Sequence, residues 1–248
     1  MYTAEILETV RPLAAPPYLA LLLYGSYARG EQDESSDLDI LQLTTVHTRS
    51  YSHGKVNFTC YTSEQLFTLA RQGALFARHL AFEGAVLFDP GHFLERLRSA
   101  YVPQSNYAQI YREVMDAIPL VAINEAAFNE HPLQYCSTAS YLLRTLVYAR
   151  AFERGAETFS MKRIAGLTGD DRPRKRLIEL REHKVYNSFK SVVEMLFELT
   201  KTPAFVRAES LEALVANMFG VSDLCVILGL RILAGGELIS YPVIRPQS

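Results

Sequence analysis

The residues able to do chemistry together are concentrated between Gly25 and Asp39. Gly25 and Ser26 follow directly on the apolar run Tyr18–Tyr24, whose composition predicts a buried strand. Gly25 marks the turn at which that strand gives way to a helix. Such a turn presents free backbone N–H groups at a helix N-terminus, where anions are attracted. A residue without a side chain lets a phosphate approach the backbone closely, and Ser26 adds a hydroxyl. Ten residues separate Ser26 from Asp37. Asp37 and Asp39 lie two apart at the start of an expected strand (Leu38–Leu43, with Asp37 just before it), which puts both carboxylates on one face while Leu38 and Ile40 point into a core. Adjacent carboxylates repel unless a cation lies between them, and hard oxygen ligands favour Mg²⁺, with Mn²⁺ as a substitute. A phosphate-holding turn beside two metal-binding carboxylates predicts chemistry on a nucleoside triphosphate.

These residues resemble the nucleotidyltransferase superfamily typified by DNA polymerase β, whose signature is Gly-Ser, roughly ten residues, then Asp-x-Asp between apolar residues. The context Ala28-Arg29-Gly30-Glu31 and Ser36-Asp37-Leu38-Asp39 is most similar to the minimal nucleotidyltransferases and the aminoglycoside nucleotidyltransferases. The resemblance covers about the first third of the chain. It implies that Gly25 and Ser26 hold the β- and γ-phosphates, that Asp37 and Asp39 bind Mg²⁺, and that a hydroxyl attacks the α-phosphate, transferring NMP (AMP being favoured) and releasing pyrophosphate. The acceptor implied is a small molecule, a protein side chain or an RNA end. The family also carries a third carboxylate on the next core strand, as metal ligand and base. The matching stretch here is Lys55-Val56-Asn57-Phe58-Thr59, with Asn57 at that position. Asn can offer an oxygen to a metal but cannot take a proton, and loss of a general base typically costs ~10²–10⁴-fold. Glu64, Glu83 and Asp89 are the carboxylates that could substitute. Asn57 therefore supports a rival expectation: an NTP-binding regulatory or toxin–antitoxin-type module with weakened catalysis.

Other candidates weigh less. Arg29 is a possible phosphate contact or a solvated helix residue. His79 and Glu83, one helical turn apart, read as a surface hydrogen bond rather than a metal pair. The basic turn Arg172–Arg176 reads first as a solvated face and second as a contact for a triphosphate or an RNA acceptor. Arg176 and His183 are separated by six residues, similar to the Arg–His spacing of the HEPN ribonucleases, but a spacing this loose arises easily. Gly-Lys-Ser/Thr, GxGxxG and GxSxG motifs are absent, which removes P-loop, Rossmann and α/β-hydrolase readings.

The elements expected to position these residues divide the chain. Residues 1–95 alternate helix and strand: a helix over Thr3–Leu13, strands at Tyr18–Tyr24, Leu38–Leu43, Lys55–Tyr61 and Ala85–Phe88, and helices from Ser63, taken as N-cap, to Ala70 and from Ala74 to Phe82. Residues 96–248 read as helices only, with apolar stripes such as Phe189, Val192, Val193 and Leu196, or Leu211, Leu214, Val215 and Met218. The fold class expected is α+β, a nucleotidyltransferase domain with a small mixed sheet followed by a helical accessory domain for the acceptor. With 25 Lys and Arg against 27 Asp and Glu, the net charge of −2 argues against a nucleic-acid coat. Three scattered cysteines without a CxxC pair argue against a disulfide framework or structural zinc. No leader is apparent, and no apolar run reaches the ~20 residues of a membrane span, so a soluble, cytoplasmic chain without a membrane partner is expected. The sequence leaves the oligomeric state open.

Overall fold

The computed structural model describes residues 2–34, 36–202 and 210–235. The chain forms two compact units, one comprising residues up to Ser105 together with Thr158–Ser160, the other residues 106–157 and 161 onward.

The first unit runs α1 (Tyr2–Val10), β1 (Ala20–Tyr24), α2 (Gly25–Ala28), β2 (Leu38–Thr44), β3 (Tyr51–His53), β4 (Val56–Thr62), α3 (Ser63–Arg71), α4 (Leu75–Glu83), β5 (Ala85–Phe88) and α5 (Phe93–Ala100). The sheet order is β3-β4-β2-β1-β5. Only the β2–β4 pair is parallel, so the sheet is mixed. Both faces are covered, which is why β1 reads as an unbroken apolar run rather than an alternating one. Leu22, Tyr24, Leu41 and Leu43 pack under α3, α4 and α5. Leu21, Leu23, Ile40 and Phe58 fill the opposite face with Ile6 and Val10 of α1. Each such side chain contributes roughly 1.5–3 kcal/mol by leaving water.

Local chemistry sets the element ends. The N-cap of α3 is Thr62 and not Ser63: Thr62 Oγ1 accepts from Gln65 N at 3.3 Å, and the Gln65 side chain accepts from Thr62 N at 2.9 Å. That reciprocal pair satisfies two free donors where a Ser63 cap would satisfy one, so the helix starts at Ser63 itself. The polar stretch after β2 contributes a strand of its own, β3, turned back onto β4 by Gly54 at φ +59°.

The second unit is helical: α6 (Ala108–Ala117), a 3-10 turn (Ile118–Leu120), α7 (Glu125–Glu130), α8 (Pro132–Glu153), α9 (Met161–Thr168), α10 (Arg172–Glu182), α11 (Tyr186–Thr200), α12 (Leu211–Met218) and α13 (Asp223–Ala234). Phe189, Val192, Val193 and Leu196 of α11 are all buried, as their spacing requires. The α12 stripe is narrower than its periodicity implies. Of Leu211, Leu214, Val215 and Met218, Val215 alone is fully buried, because the short helix seats that one side chain against the bare Cα of Gly229 in α13. Among the described residues, no helix is long and apolar enough to cross a membrane.

Candidate active site

The sheet register builds the site. Tyr24 pairs with Asp39 across β1–β2, Asp39 pairs with Asn57 across β2–β4, and Asn57 pairs with Ser52 across β4–β3. These four residues form one row across four strands, and directly paired residues share a face. Asp39 is half-buried in that row; Asp37, exposed, lies just before the first residue of β2. Leu38 and Ile40 are buried on the other face.

Gly25 continues directly from Tyr24 with φ +77°, a conformation side-chain-bearing residues rarely adopt. A Cβ placed on Gly25 would lie 2.6 Å from Asp39 Oδ2. The backbone of the turn and the Asp39 carboxylate are thus in contact, with no room for a side chain between them. The helix that begins here, α2, is a single turn of four residues. Ser26 Oγ has no hydrogen-bond partner among the described residues, while its carbonyl accepts from Glu31 N at 2.9 Å and fixes the loop.

Asn57 occupies the lateral position beside Asp39 that β4 offers. Its Nδ2 donates to Asp39 Oδ1 at 3.3 Å, and its Oδ1 accepts from Ser52 Oγ at 2.8 Å. The amide therefore presents a donor to the carboxylate, where a carboxylate at this position would present a second negative charge. Two of the three substitute carboxylates, Asp89 and Glu83, have partners of their own. Asp89 accepts from Phe93 N and Leu94 N, capping α5; Glu64 is exposed in the first turn of α3; Glu83 is committed elsewhere.

Glu83 belongs to a buried cluster in the same unit. Arg29 Nη1 donates to Glu83 Oε2 at 3.0 Å, and Arg29 Nε donates to Glu31 Oε2 at 3.0 Å. The other Glu83 oxygen accepts from Thr158 Oγ1 at 2.9 Å and Phe159 N at 2.8 Å, while Ser160 Oγ donates to Glu31 Oε1 at 2.9 Å. Burial by itself would raise the Glu83 carboxyl, but the His79 hydrogen bond, the Phe159 N–H and the Arg29 charge outweigh it and hold it at about 2. Burial lowers His79, with the Arg29 charge in the same sense, against the pull of Glu83; its ring is neutral at pH 7. His79 Nε2 lies 3.3 Å from Glu83 Oε2 and 3.2 Å from Arg29 Nη1. A neutral ring makes only one of these contacts as a hydrogen bond, since Nε2 carries either a proton or a lone pair. The ring also stacks on Phe159, with centroids 4.5 Å apart, and meets Tyr24 edge-on.

The His79–Glu83 pair is therefore interior rather than a surface hydrogen bond, because Arg29, Phe159 and Tyr24 close over it. Arg29, read from the sequence as a phosphate contact or a solvated helix residue, is largely buried and paired with two carboxylates. Among the described residues, no group of three or more His, Cys, Asp or Glu forms a metal cluster; Asp37 and Asp39 are a pair, with Asn57 in the third place. In the other unit, Arg176 Nη1 donates to the Ser191 carbonyl and His183 is exposed at the end of α10.

Comparison with known proteins bears on the same segment. Residues 5–75 match the family model described as a nucleotidyltransferase domain. That segment is a nucleotidyltransferase domain of the polymerase-β-like superfamily. A search of curated proteins finds no match. Among solved structures, the chain is similar to a nucleotidyltransferase-like protein from Exiguobacterium sibiricum 255-15, at 15% identity, covering 81% of this chain and 74% of that one, with a TM-score of 0.28. A likeness that remote carries no argument about this chain. Nucleotidyltransferase domains in general use an NTP and a divalent metal to transfer NMP.

Within the nucleotidyltransferase unit, sequence reasoning missed Thr158, Phe159 and Ser160. They lie 75 or more positions from Glu83 in the chain, and no local spacing relates them. The available signal was Glu83 itself: a carboxylate at the end of an otherwise apolar helical face needs a partner.

Proposed function

We propose that this site transfers a nucleoside monophosphate from a Mg²⁺-bound NTP, AMP from ATP being the favoured case, to a hydroxyl on a small-molecule, protein or RNA acceptor. The observation that carries the reading is the contact between the Gly25 backbone and the Asp39 carboxylate. It supports reading the turn as a phosphate cradle with Asp39 as a metal ligand beside it. Gly25 and Ser26 receive the β- and γ-phosphates through backbone N–H groups and the Ser26 hydroxyl. Asp37 and Asp39 fit Mg²⁺, which takes one or two carboxylates and completes its shell with water and substrate phosphates. When bound, the ion would neutralise charge on the phosphates and on the attacking oxygen. Asp39, anchored by Asn57 and by the Gly25 turn, keeps its carboxylate fixed without the ion. Arg29 acts at one remove, tying the loop after Ser26 to α4.

The test supplies α-³²P-labelled ATP, GTP, CTP and UTP separately, with Mg²⁺ or Mn²⁺ and a fractionated cell extract. Label should enter one acceptor fraction with the wild type and not with Asp37→Asn/Asp39→Asn. Absence of transfer from every nucleotide, in protein that binds NTP, would sink this reading.

A second reading, an NTP-binding regulatory module of weak catalysis, is favoured by Asn57, which donates to Asp39 and cannot accept a proton. It predicts that Asn57→Asp raises transfer strongly, by ~10²-fold or more. If Asn57 already serves the reaction, that substitution leaves transfer unchanged or lowers it.

A further inference from the structure

The second unit holds a cavity of about 350 Å³ between α8, α9, α10 and α11, remote in sequence from the Gly25–Asp39 motif. Its size falls at the lower end of small-molecule sites. One wall is apolar, formed by Val147, Ala151, Met161 and Ile164. The rest is dominated by four guanidinium groups, Arg150, Arg154, Arg172 and Arg174, against two carboxylates, Asp170 and Glu198.

The four arginines are not equivalent. Arg172 is paired with two carboxylates: its Nε and Nη2 donate to the two Asp170 oxygens at 3.0 Å each, and its Nη1 donates to Glu198 Oε1 at 2.8 Å. Arg174 is paired with Asp171 at 3.1 and 3.3 Å. Among the described residues, Arg150 donates to the Leu199 carbonyl alone, at 3.4 Å. Neither Arg150 nor Arg154 has a carboxylate salt-bridge partner among the described residues. Arg150 stands in the last turn of α8 and Arg154 is its C-cap four positions on, a spacing at which like charges repel. Asp170, held low chiefly by its Arg172 hydrogen bonds, also feels the Arg150 charge, which locates that charge at the cavity. Two guanidinium groups four positions apart, each without a salt-bridge partner among the described residues, suit a doubly charged anion, and guanidinium matches phosphate oxygens in geometry as well as charge.

We propose that this cavity binds a phosphomonoester dianion carried on a small apolar or aromatic body, with Arg150 and Arg154 holding the phosphate and the Val147–Ile164 wall taking the body. Arg172 and Arg174, spent on their own carboxylates, shape the rim. The ligand is either a nucleoside monophosphate or a phosphate ester of another kind; the recognition chemistry is common to both.

The test uses the full chain labelled with ¹³C at the methionine methyl groups. Met161 lines the cavity, and Met161→Leu assigns its signal. Phenyl phosphate, AMP, inorganic phosphate and phenol are titrated in turn. The Met161 methyl should shift saturably with a phosphate ester, with a Kd near or below about 1 mM, and not with phenol. AMP binding more tightly than phenyl phosphate points to the nucleotide source, and the reverse order to the other. Arg150→Gln/Arg154→Gln should weaken binding at least about tenfold, while Asp37→Asn/Asp39→Asn should leave it unchanged. Arg154→Gln alone, at an exposed position, serves where the double variant does not fold. A Met161 signal that does not move by about 10 mM ester, or binding indifferent to both arginines, overturns the proposal.

Discussion

Replacing Gly25 with Ala separates backbone strain from the contact that defines the site. Gly25 sits at φ +77° and Gly30 at φ +67°, so alanine at either position costs about the same, roughly 1–2 kcal/mol. The surroundings differ. A Cβ at Gly30 meets nothing within 4 Å, whereas at Gly25 it lands 2.6 Å from Asp39 Oδ2. Ordinary contact begins near 3.4 Å, so the carboxylate must retreat by about 0.8 Å. That movement also disturbs the Asn57–Asp39 bond at 3.3 Å. A displacement of this size in a reacting group costs on the order of 10²-fold in rate. Gly30→Ala should therefore lose about 1–2 kcal/mol in urea unfolding and keep NMP transfer within a few-fold of wild type. Gly25→Ala should lose at least as much stability and about 10²-fold in transfer at saturating Mg²⁺ and NTP. Equal activities for the two variants, each shown folded by its melt, would refute the argument that the turn and the carboxylate work as one surface.

The Arg29 cluster makes a pH-dependent prediction. The Glu83 carboxyl lies at about 2 against an ordinary 4.5, so its contribution is complete above 4.5 and is lost as pH falls towards 2. Glu83→Gln should lower stability at pH 7 by about 2–3 kcal/mol and flatten the acid limb of the stability–pH curve between those values; a parallel acid limb would count against it. Thr62→Ala should cost about 1 kcal/mol by removing the hydroxyl that accepts from Gln65 N, the Thr62 N–H bond to the Gln65 side chain remaining, and Thr62→Ser should restore most of it, measured by thermal or urea melts. Ser63→Ala, at the position the sequence favours as cap, should be close to neutral in the same melts.

Much of the nucleotidyltransferase unit is legible because its determinants are local. An apolar run followed by Gly-Ser, then an alternating segment with two aspartates, places strand, turn and strand from neighbouring residues alone. The period-2 pattern puts Leu38 and Ile40 inside and their neighbours on the other face. The α11 stripe is legible for the same reason, since one helix face carries the whole signal. Choosing Thr62 over Ser63 as the cap needs the side-chain geometry of Gln65, because either hydroxyl suits the sequence pattern.

What the sequence by itself determined was the order of strand, turn and strand that carries the Gly25–Asp39 motif. The tertiary structure decided which groups meet. Strand register set Asn57 beside Asp39, and a backbone approach that only a bare Cα permits set Gly25 against the same carboxylate. Arg29, whose type alone names no partner, is paired with Glu31 and Glu83, with residues near 160 closing the cluster. A charge inside a fold is defined by its partners, and partners 50 to 130 positions away leave no periodicity to read.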